Sequence, residues 1–172
     1  RWDSVNERLH PVLRQHPEFV PAHLLLGRCL VEQGRFYELN QWHRQLPPEA
    51  KQTADYWMVG GLRARHQQLY IRAARALWTV LRLDPAGHPD ALSPLLFALK
   101  QIGREEEAEW VAEQMIRHAD LRDRLKTHFE RQGNSQRAAM GVAKALERLG
   151  RIWEAEGWAR MALSLREQPL TD

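Results

Sequence analysis

The sequence has little of what most enzyme, membrane or secreted folds require. Its 172 residues include a single cysteine, Cys29, so an internal disulfide is impossible. No apolar run approaches the about 20 residues of a membrane span, and we predict no membrane partner. Alternating strand patterns and Asn-Gly or Asp-Gly hairpin turns are also absent. These absences exclude a disulfide scaffold and a mainly β-sheet fold.

An excess of charge of one sign is missing too. The chain has 25 basic and 22 acidic residues, a formal net charge of +3. This excess is too small and too evenly spread to predict nucleic-acid binding. The chain starts at Arg1 without a methionine, so we expect the native N-terminus to lie upstream. Targeting is therefore unreadable, and a cytoplasmic location is the working expectation.

Residue patterns for catalysis or metal binding are likewise absent. The eight histidines include no pair at i, i+4 spacing, and there is no His-Glu-x-x-His motif. The sequence contains neither a Gly-x-Ser-x-Gly elbow nor a Walker loop. Cys29 lies between Arg28 and Leu30, where a small thiol packs well inside a helix. We therefore predict no catalytic residue, no metal, no cofactor and no enzyme activity.

Helix-forming segments with apolar residues three and four apart fill the chain instead. One stripe contains Leu92, Leu95 and Leu99, and another contains Val142 and Leu146. Glycines stand where such stripes end, at positions 34, 103 and 150, as helix stop signals do. This pattern predicts an all-α fold built from helical hairpins.

The same pattern recurs along the chain. Each of these glycines is followed by arginine and then by a second helix with a small or aliphatic inward residue, and Gln68 holds the glycine's place in one copy. The inward residues are spaced by 34, 34, 35 and 47 positions: Val5, Leu39, Ala73, Ala108 and Ala155. Three intervals match a period of about 34 residues, typical of one class of helical repeat. The longer fourth interval predicts an inserted helix.

With these residues the chain resembles a tetratricopeptide repeat protein over nearly its whole length. Its best copy has Trp57 at the large first-helix position, Gly61 at the small one, Tyr70 opening the second helix and Pro85 closing the repeat. The small position holds Gly27 in the repeat before. The resemblance implies a right-handed α-solenoid of antiparallel helix pairs, a superhelix of the tetratricopeptide type.

The predicted organisation is a single array over residues 1–172. Its parts are an orphan second helix (1–17), three repeats (20–50, 54–86 and 89–119), an inserted helix (120–133) and a last repeat (135–168). The orphan helix carries Val5, Leu9 and Val12 and has no first-helix partner. We expect a longer array that continues beyond it, or a homodimer through this helix.

The resemblance implies that first helices line a concave groove for a protein or peptide partner. The expected contact residues are Leu24, Arg28, Met58, Leu62, Arg65, Phe97, Lys100, Met140 and Lys144. Leucine, methionine and phenylalanine with about one basic residue per repeat suit a peptide that has apolar anchors and acidic groups. The asparagine and lysine pattern of the family's carboxylate clamp is absent.

The leading hypothesis is therefore a protein–protein interaction scaffold that binds a partner peptide or helix. The alternatives are a self-assembly module, or a recruiting domain of a larger enzyme or complex. RNA binding ranks lower, because matched polar readers are missing from the repeats. Trp78 and Trp110 point outward in the repeat pattern, toward a possible second contact surface.

Overall fold

The structure, a computed structural model, describes residues 2–130 and 134–167, and these residues form helices joined by short turns and loops, with no strand. Two 3-10 turns, Pro48–Gln52 and Pro89–Ala91, accompany nine α-helices in this part of the chain. The α-helices are α1 Trp2–Gln15, α2 Val20–Glu32, α3 Phe36–Gln45, α4 Ala54–His66, α5 Tyr70–Leu83, α6 Leu92–Gln101, α7 Glu105–Glu130, α8 Gln136–Arg148 and α9 Ile152–Glu167. The all-α fold predicted from the sequence is confirmed.

The chain divides into two compact units, which we call unit 1 (residues 1–109) and unit 2 (residues 110–172). The boundary falls inside α7, which runs from Glu105 to Glu130 without interruption. The insert predicted at 120–133 is therefore not a separate helix up to Glu130, and residues 131–133 lie outside the described residues. No glycine or proline stands within α7 to stop it. The repeat boundaries themselves stay a prediction.

Four turns between successive helices share one hydrogen-bonding pattern. The amides of Gly34 and Arg35 donate to the carbonyls of Val31 and Leu30, at 3.2 and 2.9 Å. The same two bonds recur at 68–69, 103–104 and 150–151. This is the Schellman motif, which requires a left-handed residue just past the helix end. Gly34, Gly103 and Gly150 supply it with φ of 69°, 70° and 72°.

Gln68 occupies the left-handed position in the fourth turn. Its φ is 58°, the one positive value at a non-glycine residue in the described chain. The sequence comparison that aligned Gln68 with the turn glycines is confirmed. A side chain in this conformation costs about 1–2 kcal/mol relative to right-handed backbone.

An arginine–glutamate pair follows each of the glycine turns. The Nε atoms of Arg35 and Arg151 donate to Glu38 and Glu154 at 2.7 Å each, and Arg104 Nε donates to Glu107 at 3.0 Å. Each glutamate lies in the first turn of its helix, where it also complements the helix dipole. After Gln68 the corresponding residues are Leu69 and Arg72, so this pair is absent there.

Four of the five inward residues predicted from the repeat spacing are part of the core, and the fifth, Val5, is half-buried. Leu39 and Ala73 are 1% and 0% exposed, and Ala108 and Ala155 are 4% and 8% exposed. Their amides donate to the carbonyls of residues 35, 69, 104 and 151, at 2.9–3.0 Å. Turn and inward residue thus form one recurring module, and this identifies the chain as a helical-repeat protein.

Glycines allow close helix approach at the two small positions predicted in α2 and α4. A Cβ atom on Gly27 would lie 2.3 Å from Cζ2 of Trp42. Trp42 is buried and its Nε1 donates to the carbonyl of His23 at 2.7 Å. A Cβ on Gly61 would lie 2.7 Å from Cγ of the buried Leu77. Trp42 and Leu77 therefore occupy the space that a methyl group on Gly27 or Gly61 would need.

The predicted orphan helix, α1, packs on α2. Leu9 is 8% exposed and forms a cluster with Ala22 and Cys29, and Val5 and Val12 pack against this cluster. Unit 1 itself therefore buries Leu9 and covers part of Val5 and Val12.

Unit 2 has its own core. Leu121, Val142 and Leu146 are buried there, with Trp158 packed against them. The ring of His128 meets the Trp158 ring edge-on at a centroid distance of 4.9 Å. The side chain of Ser135 caps α8 by accepting a hydrogen bond from the amide of Ala138 at 3.3 Å.

Replacing Gln68 with glycine should raise the free energy of unfolding by about 1 kcal/mol, because glycine adopts positive φ without strain. Urea unfolding followed by circular dichroism measures the change. The neighbouring Gln67 has a φ of −83°, so Gln67→Gly should lower stability. A loss of stability in Gln68→Gly would contradict the strain assigned to this turn.

Gly27→Ala should lower the free energy of unfolding by about 1–3 kcal/mol, because the new methyl group overlaps the Trp42 ring. The matched control is Gly60→Ala in α4, where a Cβ meets no atom within 4 Å. Alanine there should raise stability by about 0.5–1 kcal/mol through helix propensity. Equal changes in stability for the two substitutions would show that the packing of the Trp42 ring does not require a glycine at position 27.

Candidate protein-interaction surfaces

Three residues predicted to line the groove lie inside the core of unit 1. Leu24, Met58 and Leu62 are only 6%, 1% and 3% exposed. These side chains are core residues of unit 1, and their contact with a partner stays a prediction. Apolar residues at these spacings suit a packed helix face as well as a binding face, and the sequence pattern does not separate the two.

Arg28 is already neutralised by residues of its own unit. Its Nε lies 2.9 Å from Glu32 on the same helix, and its Nη1 lies 3.1 Å from Asp90 in the second 3-10 turn. A partner's carboxylate would have to displace these two. Arg28 is therefore a structural ion-pair residue in unit 1, and its contact with acidic groups of a partner stays a prediction.

Carboxylates gather next to this pair, around His88. Its Nε2 lies 3.7 Å from Asp84 and 3.8 Å from Asp55, and its Nδ1 lies 3.8 Å from Asp90. The sequence analysis did not find this cluster, because its members come from α4 and from the loop after α5. Its negative charge disfavours an acidic partner at this corner of unit 1.

Three predicted residues do remain at the surface of unit 1. Phe97 is 47% exposed, and its ring meets Tyr70 edge-on at a centroid distance of 5.8 Å. Lys100 is exposed one turn further along α6, and Arg65 is half-buried near the end of α4. Neither cation forms an ion pair with any described residue. We call Phe97, Lys100 and Arg65 the first-helix face.

In unit 2, α8 carries the two remaining predicted contacts. Met140 is half-buried and Lys144 is exposed one turn later. Lys144 has no ion-pair partner within residues 134–167 or the earlier described range. Both side chains are accessible on this helix.

The two tryptophans assigned to a second surface differ in exposure. Trp78 is half-buried and lines a pocket of about 370 Å³ together with Ile71, Arg75 and Ile102. Trp110 is 47% exposed on α7. The outward direction predicted for both is consistent with these positions.

A further pocket, of about 270 Å³, lies between α3, α4 and α5 and was not predicted from the sequence. We call it the aromatic pocket. Its lining residues are Leu39, Trp42, His43, Tyr56, Trp57, Val59, Gly60, Arg63, Ala64, Arg72 and Ala76. One sequence signal points to it. Gly60 precedes the small position Gly61, whereas Leu26 precedes Gly27.

The described residues contain no group of histidine, cysteine or acidic side chains that could hold a metal. Cys29 is fully buried, and this burial raises the pKa of its thiol. A buried thiol with a raised pKa is a poor nucleophile. Nor is any helix of the described chain long and apolar enough to cross a membrane.

Two side chains of unit 2 have shifted acidities. Burial, with a smaller contribution from the charge of Arg151, lowers the pKa of His118 below its usual 6.5. The hydrogen bond from Arg151 lowers the pKa of Glu154. The charge of Arg151 thus favours the ionised carboxylate of Glu154 and the neutral imidazole of His118.

Solved structures of MamA are similar to this chain in fold. The crystal structure of MamA is 19% identical with a TM-score of 0.52, covering 96% of this chain and 89% of that one. A crystal structure of MamA protein is 19% identical with a TM-score of 0.51, covering 99% of this chain and 89% of that one. MamA MSR-1 C2 is 22% identical with a TM-score of 0.50, covering 97% of this chain and 88% of that one. At these identities the likeness shows the fold alone. No family model and no curated protein matches the sequence. The chain is an all-α helical-repeat protein.

The lowered pKa of His118 predicts a pH-dependent stability. Unfolding returns the imidazole to a pKa near 6.5, so below that pH the unfolded state binds more protons and stability falls. The free energy of unfolding should therefore decrease less in His118→Gln than in the unchanged protein when the pH is lowered from 7. Urea unfolding at several pH values measures this difference. Identical pH profiles for both proteins would contradict the assignment.

Proposed function

We propose that the chain is a tetratricopeptide-type scaffold that binds a protein partner and catalyses no reaction. Recurring turns and inward residues at about 34-residue intervals support the repeat type. Repeats of this kind present extended surfaces for binding. The likeness in fold to MamA fits a helical-repeat scaffold but identifies no partner.

The observation that carries the proposal is the exposed ring of Phe97. A phenylalanine that is 47% exposed keeps much of its apolar area in water, and aromatic rings are frequent anchors at protein interfaces. Tyr70 meets the ring edge-on, which restricts its motion. A partner that covers a ring already held in place loses less conformational entropy on binding.

Charge selects the kind of partner for the first-helix face. Lys100 and Arg65 have no ion-pair partner among the described residues. Each can therefore form an ion pair with a carboxylate of a partner. The acidic cluster around His88 would repel carboxylates at its own position. We therefore expect a peptide or helix with an apolar anchor for Phe97 and acidic residues toward Lys100 and Arg65.

The Phe97→Ala, Arg65→Ala double variant should lose partner binding. Proteins that co-purify with the chain are identified by mass spectrometry, and the best one is then titrated by calorimetry. We expect the double variant to weaken its affinity by about tenfold or more, because an aromatic anchor and a cation are both removed.

Arg44→Ala is the matched control, since Arg44 is exposed on α3 away from these residues. It should leave the affinity unchanged. Unaltered binding by the double variant would refute the first-helix face as the binding surface.

A second candidate, self-assembly, is favoured by the surface of unit 2. Trp153, Ile116 and Phe129 are 87%, 69% and 68% exposed. Large exposed apolar residues frequently mark association sites. If they serve this role, light scattering should show a mass that increases with concentration, and Trp153→Ser should reduce it. A constant monomer mass would exclude this candidate.

A further inference from the structure

We propose that the aromatic pocket is a second docking site, which receives one bulky apolar side chain of an acidic peptide segment. This site is independent of the first-helix face described above. Four observations carry the proposal: the missing side chain at the exposed Gly60, a wall of aromatic rings, two unpaired arginines and the absence of acidic lining residues.

The pocket exists because one repeat lacks a side chain that the others have. The position of Gly27 and Gly61, counted back from the left-handed turn residue, holds Leu96 in α6 and Ala143 in α8. The residue before it is Leu26 in α2, Leu95 in α6 and Val142 in α8, and it is Gly60 in α4. Leu95 and Val142 are fully buried. A Cβ atom added to Gly60 would meet no atom within 4 Å. The corresponding volume is therefore left open to a ligand.

Aromatic rings form a continuous wall around this space. Trp42 and His43 have centroids 6.4 Å apart, and His43 lies 5.9 Å from Tyr56, which in turn lies 5.6 Å from Trp57. His43 Nε2 and the Tyr56 hydroxyl are 3.0 Å apart, a hydrogen bond that joins α3 to α4. Trp57 is 37% exposed at the edge. Rings linked in this way offer a preformed apolar surface.

Two arginines give the pocket its charge. Arg63 from α4 and Arg72 from α5 both line it. Neither forms an ion pair with a described residue. No aspartate or glutamate lines the pocket. Two free guanidinium groups beside apolar rings favour a ligand that combines an apolar group with carboxylates.

These features identify the occupant by its chemistry. Phenylalanine or leucine would fill the space left by Gly60, and neighbouring glutamates or aspartates would pair with Arg63 and Arg72. Anionic lipid would use the arginines but would not need a cavity. The test must therefore separate cavity filling from charge.

Short synthetic peptides provide the probe. Each has glutamates on both sides of one central residue, which is phenylalanine, leucine or alanine. Fluorescence anisotropy of the labelled peptide is measured with the purified full chain, and anionic vesicles are measured in parallel. We expect saturable binding of the phenylalanine and leucine peptides, and about tenfold weaker binding of the alanine peptide.

Gly60→Leu is the decisive variant, because it restores the leucine found in α2 and α6 and fills the cavity. It should weaken binding of the phenylalanine peptide by about tenfold or more while leaving the thermal midpoint equal or higher. Arg63→Gln with Arg72→Gln should weaken binding and reduce its dependence on salt. The matched control is Arg82→Gln, an exposed arginine of α5 outside the pocket.

Three results would overturn the proposal. They are no saturable binding of either bulky peptide, equal binding by Gly60→Leu, and vesicle binding that Gly60→Leu leaves intact while peptides fail. The Phe97→Ala, Arg65→Ala variant should bind these peptides normally. Its behaviour therefore distinguishes failure of the pocket from failure of the first-helix face.

Discussion

Each repeat of this protein depends on a left-handed residue that ends its first helix. That residue lets two backbone amides bond back to the helix, and the chain then reverses into a second helix. The first turn of that helix places an inward residue four positions after the turn's second amide. Burial of Leu39, Ala73, Ala108 and Ala155 follows from this spacing. The arginine–glutamate pairs add to the turn from outside, but as exposed pairs they contribute little.

The size of one side chain next to the small position determines which surfaces are open. Where Leu95 or Val142 stands, the space between helices is filled. Where Gly60 stands, aromatic side chains surround an open volume. The open volume thus arises from the side chain that Gly60 lacks. Charge then differs between surfaces, since acidic residues surround His88 and free arginines line the aromatic pocket.

Periodicity was sufficient to predict the helices, the turn positions and the inward residues, including Gln68 in place of glycine. Those features depend on neighbours in sequence. The exposure of the residues expected to face a partner could not be predicted in the same way. Leu24, Met58 and Leu62 are buried, and Arg28 pairs with Asp90, because these outcomes depend on helices distant in sequence. The segment predicted as an insert continues α7 up to Glu130, because an apolar stripe alone does not show where a helix begins. Gly60 was the one signal of the aromatic pocket in the sequence. It did not predict the pocket by itself, because the rings that surround it come from other helices as well.

The ion pair between Arg28 and Asp90 has a consequence for how unit 1 unfolds. In repeat proteins each repeat usually contacts only its neighbours, so stability is nearly a sum of nearest-neighbour terms. Here α2 contacts the 3-10 turn before α6, across the α4–α5 pair, at 3.1 Å. Local opening of that turn also breaks the ion pair between Arg28 and Asp90. This ion pair therefore links the first and third helix pairs of unit 1 directly, and as a partly exposed pair it contributes about 0–1 kcal/mol to that link.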